Sequence, residues 1–252
     1  MAFYDLVKTD REALVLQIST RVEHDFQTEN KENMHRYFSD GDTYIRKTAY
    51  LAVGRIYLAN VSMRSLIIVA LHELFSDTDA KVRQTVVNAA GEIGKYDFNA
   101  VVHFFDQGLF DSHHSVRNAV IGSMKKMGEK NPAPVLDWSR RYLHHPDKEI
   151  RREICHGIEL RGRNYPEDIL PLLRELQFDK TKRVRWTLVH VLGQIGYKKG
   201  CLEKVVAELL KWENTELVTD AMAEIIDVHH RYRNFSYYTQ EEAREYIAHA
   251  MP

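Results

Sequence analysis

The chain has 252 residues, 44% of them hydrophobic, which is enough to build a sizeable core and too much for a disordered protein. Lys and Arg total 35 against 36 Asp and Glu, a net charge of -1, so no global field draws the molecule to nucleic acid or to an anionic membrane. Two cysteines, Cys155 and Cys201, are too few for a secreted disulfide scaffold.

The opening stretch, MAFYDLVKTDREALVL, lacks the basic start and apolar run of a signal peptide. No segment approaches the roughly 18 uninterrupted apolar residues of a membrane span. The expectation is a cytoplasmic protein without a membrane partner. Apolar periodicity predicts a helix from Arg11 to Phe26 and a short one near Met34 to Phe38, together an N-terminal cap over residues 1–38.

From 39 to 231 the chain repeats itself. A branched apolar residue followed by Arg recurs at Ile45-Arg46, Val82-Arg83, Val116-Arg117, Ile150-Arg151 and Val184-Arg185, with steps of 37, 34, 34 and 34 residues. One more step reaches Val218-Thr219, which keeps the apolar residue and loses the Arg. Counting from the Arg as zero, position three holds Ala49, Val86, Val120, Ile154, Leu188 and Met222. Position seven holds Val53, Ala90, Met124, Ile158, Leu192 and Ile226. Steps of four make an amphipathic helix stripe and exclude the alternation of a strand. A second apolar segment precedes each such helix: Met63 to Phe75, Phe98 to Phe110, Val135 to Leu143, Ile169 to Leu176 and Leu202 to Trp212. Two helices per repeat follow. Residues 232–252 read as an aromatic, polar linker, Tyr232 to Tyr238, and a capping helix from Gln240 to Met251. No low-complexity or Pro/Gly-rich boundary interrupts the chain, so it is read as one domain, 1–252.

Six residues before the Arg stands an acid in most repeats: Asp40, Asp77, Asp111, Asp179 and Glu213, with His145 in the fourth. With these Asp and Arg columns, and with AAGEIG at 89–94 and VLGQIG at 191–196, the stretch from Asp40 to Val228 resembles the HEAT-repeat family, in particular its bacterial HEAT-like members. The resemblance implies an all-α, right-handed α-α superhelix, a HEAT-like solenoid of about six helix pairs with capping helices at both ends. It also makes Arg46, Arg83, Arg117, Arg151 and Arg185 scaffold, capping turns and bonding neighbouring units.

In such a stack the second helices line the concave side. Positions one, five, eight and twelve after the Arg share a helix face off the buried stripe. That face reads Asn118, Gly122, Lys125, Glu129 in the third repeat and Arg152, His156, Glu159, Arg163 in the fourth. In the fifth it reads Trp186, His190, Gly193, Tyr197, and in the sixth Asp220, Glu224, Asp227, Arg231. The candidate ligand-binding residues are therefore Arg152, His156, Glu159, Arg163, Trp186, His190, Tyr197, Asp220, Glu224 and Arg231. From Arg117 to Lys199, 18 Lys and Arg stand against 10 Asp and Glu, a basic excess compatible with a nucleic-acid backbone or with an ordinary solvated face.

One stretch breaks the pattern. Position ten is apolar in Ile56, Ile93, Met127 and Ile195 but is Arg161 in the fourth repeat, flanked by Gly157 and Gly162. Either the site imposes the break, or the helix ends early at Leu160 with Gly162 as terminator.

No Walker, Rossmann or HExxH pattern occurs, and no cofactor is expected. Cys155 falls in an apolar column and reads as core, whereas Cys201 opens a helix, where a thiolate is favoured. No metal motif is present; the cross-helix set His156, His190, Glu159 and Glu224 is the ligand group to test. The length and groove composition are also similar to those of HEAT-like alkylpurine DNA glycosylases. That resemblance implies damaged DNA held in the groove, with Glu159, Asp220 or Glu224 as the catalytic carboxylate that stabilises developing positive charge or positions water, and Trp186 packing on the nucleotide. The leading expectation is a non-enzymatic module that engages a protein or nucleic-acid partner through the groove. The alternative is a DNA alkylation repair glycosylase using the same groove.

Overall fold

A computed structural model describes residues 2–250. Its elements follow from the turn that precedes each second helix. The side chain of the acid six before the Arg accepts from the backbone N–H two residues on, at 2.7 Å from Asp40 to Asp42, 2.7 Å from Asp77 to Asp79 and 2.8 Å from Asp179 to Thr181. His145 does the same with its ring nitrogen, 3.1 Å from the N–H of Asp147, so the change of residue type in the fourth repeat keeps the bond. The helix cap itself lies two residues later than the acid column. Asp42, Asp79 and Asp147 accept from the N–H groups of Tyr44, Lys81 and Glu149 at 2.7, 2.8 and 2.8 Å.

The arginines close these turns. Nη1 donates to the carbonyls six and five residues back: Asp77 and Thr78 for Arg83, Asp111 and Ser112 for Arg117, and His145 and Pro146 for Arg151. Arg83 and Arg151 also reach the acid column of the next repeat. Arg83 holds Asp111 at 2.8 and 3.0 Å, and Arg151 holds Asp179 at 2.6 and 3.3 Å, both by a forked guanidinium. The expected ladder is thus seen at Arg83 and Arg151. Arg185 departs from it: the sixth repeat has no Asp at the equivalent place, and the guanidinium turns to Glu216 and Asp220 instead.

The described helices form two compact units that divide between Asn131 and Pro132. In the first, α1 (Lys8–Thr28) and α2 (Glu32–Phe38) precede α3 (Thr43–Ala59), α4 (Arg64–Phe75), α5 (Ala80–Gly94), α6 (Val102–Gly108) and α7 (His114–Lys130). The second helices α3, α5 and α7 pack in succession, and α1 covers α3 as a cap. In the second unit come α8 (Pro132–Tyr142), α9 (Lys148–Gly157), α10 (Glu159–Gly162), α11 (Pro166–Arg174), α12 (Lys182–Gln194), α13 (Leu202–Leu209), α14 (Thr215–Arg231) and α15 (Gln240–Ala250). Here α9, α12 and α14 pack in succession, and α15 covers α13 and α14. The expected end of α15 at Met251 lies outside the described residues. No strand occurs among the described residues, and no single helix is long and apolar enough to cross a membrane.

The stripe at minus one, three and seven is buried in every repeat except at Ile45 and Ile226. Small residues let the helices close up: a Cβ on Gly91 of α5 would lie 2.4 Å from Oγ of Ser123 on α7.

Buried titratable groups give the fold a pH response. Burial, and for His103 the neighbouring His72, holds the His103 and His229 imidazoles below their ordinary value of 6.5. Both are therefore neutral when folded and protonate more readily when unfolded, so their contribution is present above pH 6.5 and is lost as pH falls through the lowered folded values. Chemical denaturation at pH 7.5 and 5.5 is expected to show the lower stability at 5.5, with a smaller drop in His229→Asn.

Candidate functional site

The candidate face lies in the second unit on α9, α10, α12 and α14. Trp186 sits on α12, whose stripe Val184, Leu188, Val191 and Leu192 is fully buried. Two residues past Val184, the Trp side chain must point away from that core, and it is 74% exposed. Four residues on, His190 lies on the same face with its ring stacked beside the indole, centroids 6.5 Å apart and planes 22° from parallel. One helix back, His156 at the same position of α9 is 6.2 Å from His190, centroid to centroid. One helix forward, Glu224 of α14 lies 3.5 Å from Nδ1 of His190. The shared offset in the repeat is what brings these three side chains into a row.

Positions eight and twelve stay exposed in the sixth repeat, at Asp227 and Arg231, but Glu159, Gly193 and Tyr197 of the fourth and fifth turn inward, which corrects the face there. Glu159 is 1% exposed. Gly193 is buried against α14, where an added Cβ would lie 2.5 Å from Cγ of Glu224. Tyr197 is 7% exposed and stacks on Tyr232 at 5.2 Å, its carbonyl accepting from the N–H of Tyr237 at 2.9 Å. The reason is local: α12 ends at Gln194, so helical spacing no longer governs the direction of Tyr197. Its ring is part of the packing under the C-terminal linker and offers no face to a ligand.

Glu159 stands one turn on from the buried Cys155, and position eight is buried also at Gly54, Gly91 and Gly193 in unbroken helices. Helix α9 stops at Gly157, Ile158 has φ -86° and ψ -9°, and α10 restarts at Glu159. The helix therefore kinks and continues to Gly162, two residues beyond the early end at Leu160. Gly162 is needed for packing, since a Cβ there would lie 2.3 Å from Cδ1 of Ile169 and 2.8 Å from Ile195. Arg161 leaves the face altogether, pairing with Asp168 at 2.6 Å and lying 3.8 Å over the Tyr165 ring.

The buried Glu159 carboxylate has partners on both oxygens. Oε1 accepts from Nε of Arg163 at 2.9 Å, and Arg163 is tied in turn to Gln194 at 2.9 Å; Oε2 lies 3.1 Å from Nδ1 of His156. Burial works against the Arg163 charge, but the Glu159 carboxylate outweighs it and raises the guanidinium above its ordinary range.

The remaining arginines of the face are paired. Arg152 holds Glu149 at 2.9 Å, Arg183 holds the other oxygen of Glu149 at 3.1 Å, and Arg185 holds Asp220 at 3.0 Å. Arg231 bonds Glu224 and holds Asp227 at 2.9 Å. Part of the basic excess read from the sequence is therefore matched by acids on the same or the adjacent helix. A shallow depression beside the indole is lined by Lys182, Arg185, Trp186, Val189 and Asp220.

Neither cysteine contributes. Cys155 is fully buried, and burial raises its thiol beyond the ordinary range. Cys201 does precede α13, but burial raises its thiol too, and Sγ faces the Arg163 carbonyl at 3.7 Å, so the helix start does not favour a thiolate. Both thiols are expected to react with a water-soluble disulfide reagent only after denaturant is added; prompt labelling of either in the folded chain would contradict this placement.

A family profile described as non-SMC mitotic condensation complex subunit 1 matches residues 11–144, and one described as HEAT repeats matches residues 136–225. Among curated proteins no sequence matches the chain. The crystal structure of AlkD2 from Streptococcus mutans is similar in fold, with a TM-score of 0.55 at 16% identity over 81% of this chain and 97% of that one. A designed armadillo repeat protein, YIII(Dq)4CqI, aligns with a TM-score of 0.35 at 16% identity over 76% of this chain and 96% of its own. The first profile spans more than half of the sequence and the second runs on through most of the sixth repeat. The chain therefore belongs to the HEAT-repeat proteins and, by its longer match, to the family described as non-SMC mitotic condensation complex subunit 1.

Proposed function

We propose that this chain is a non-enzymatic HEAT-like binding module whose second-helix face in the second unit engages a protein partner, with Trp186 as its anchor. The observation that carries the reading is an indole 74% exposed in the middle of a face whose arginines are already paired with carboxylates. Large aromatic side chains dominate the energy of protein interfaces when they enter a partner's pocket. A nucleic-acid backbone asks for the opposite, cations free to replace the counterions of phosphates. The family description, a subunit of a complex, supports a protein partner as well.

The rival reading, a glycosylase on alkylated DNA, draws on Glu159, Asp220 and Glu224 as catalytic acids. In this arrangement Glu159 is occupied by Arg163 and His156, Asp220 by Arg185 and Glu224 by Arg231. The likeness to AlkD2 bears on the fold alone.

The two readings separate in one set of assays. The binding module is expected to give no mobility shift with duplex DNA at 50 or 200 mM salt and no release of methylated purine. It is also expected to hold a protein partner that, once purified, binds the parent chain directly and loses affinity for Trp186→Ala. A salt-sensitive shift accompanied by base release would overturn it in favour of the glycosylase.

A further inference from the structure

His156, Glu159 and His190 each offer a ligand atom, all within 4.8 Å of one another, and they form a convergent group of three among the described residues. Two come from α9 and α10, three residues apart, and the third from α12 at the repeat offset of His156. The spacing suits an ion. Tetrahedral bonds of about 2.0–2.1 Å set ligand atoms roughly 3.3 Å apart, and Nδ1 of His156 already stands 3.1 Å from Oε2 of Glu159. Movement of the half-exposed His190 ring by about an ångström, well within a side-chain rotation, completes the set.

The surroundings are those of a supported site. Arg163, braced by Gln194, fixes Glu159 through Oε1 and leaves Oε2 directed at His156. Glu224, bonded by Arg231, stands 3.5 Å from Nδ1 of His190 and orients that ring. Around the cluster Glu159, Glu224 and Asp227 outnumber Arg163 and Arg231 by one negative charge, which favours an added cation. A carboxylate that is 1% exposed has lost nearly all its hydration, and a metal engages the second oxygen more strongly than an imidazole N–H does.

We infer that His156, Glu159 and His190 bind one divalent first-row transition ion of the zinc class, with a fourth position open to water or to a partner's side chain. Two imidazoles and one carboxylate suit such an ion, whereas magnesium and calcium require sets made mainly of oxygen. The inference does not depend on the protein-binding reading; either can fail alone.

The test uses the purified full-length chain, stripped with a chelator and titrated with Zn²⁺ by calorimetry and with Co²⁺ by visible absorption. One ion per chain is expected, with a dissociation constant in the micromolar range or below and no heat from millimolar Mg²⁺. His190→Ala, at a partly exposed position, is expected to lower Zn²⁺ affinity at least tenfold while the metal-free melting curve stays in place. His156→Ala and Glu159→Gln should lower the affinity as much, and His113→Ala should not. Absence of one-to-one binding, or equal affinity in the parent, His190→Ala and His156→Ala, would overturn the inference.

Discussion

Replacing Arg151 by alanine is expected to lower stability by about 3 kcal/mol, measured by urea denaturation at neutral pH. Its guanidinium is 15% exposed and its partner Asp179 only 7%, so the substitution strands a largely buried carboxylate. It also strips the carbonyls of His145 and Pro146 of their donor. Arg183→Ala provides the contrast. That side chain is 62% exposed and pairs with a carboxylate that Arg152 also serves, so a change within about 0.5 kcal/mol is expected. Burial raises the Asp179 carboxyl, but the Arg151 guanidinium and the Thr181 N–H outweigh it and hold it below 3.8. The rung is therefore fully formed above pH 3.8 and is lost as pH falls through the lowered folded value. Equal losses in the two variants would remove the ladder as a source of stability.

Trp186→Ala is expected to weaken partner binding by about 30-fold or more, roughly 2 kcal/mol, while stability changes by less than about 0.5 kcal/mol. The asymmetry follows from exposure: the indole touches little of its own core, so its removal opens no cavity there. The contrast is Trp138, fully buried in α8, where the same replacement costs several kcal/mol of stability. A Trp186→Ala chain that binds its partner as tightly as the parent would move the interface elsewhere.

The repeat was legible because its signal is redundant. Five arginines at near-constant spacing, with apolar columns at minus one, three and seven, specify the second helices several times over, and the structure buries nearly all of those columns. The cap position was less visible, because Asp40 and Asp42, or Asp77 and Asp79, are two acids in one turn and spacing alone does not say which closes the helix. For the site, offsets one and five placed Trp186, His156, His190 and Glu224 on one side. They failed at Tyr197, beyond the end of α12, where an offset no longer carries direction, and at Glu159, whose position one turn on from the buried Cys155 turns inward in unbroken helices as well. Nor did net charge along the sequence reveal that Arg152, Arg163, Arg185 and Arg231 each meet an acid; those pairs depend on rotamers and on neighbouring helices.

Within each unit the second helices stack in register, so that the position after the repeat arginine faces outward. The three tryptophans measure this directly, because Trp138 and Trp212 are 0% and 5% exposed against 74% for Trp186. Acrylamide quenching of intrinsic fluorescence is expected to show one accessible indole class in the folded chain, and Trp186→Phe is expected to abolish that class. Quenching that is unchanged in Trp186→Phe, or an indole 186 as shielded as the other two, would contradict the register and the site built on it.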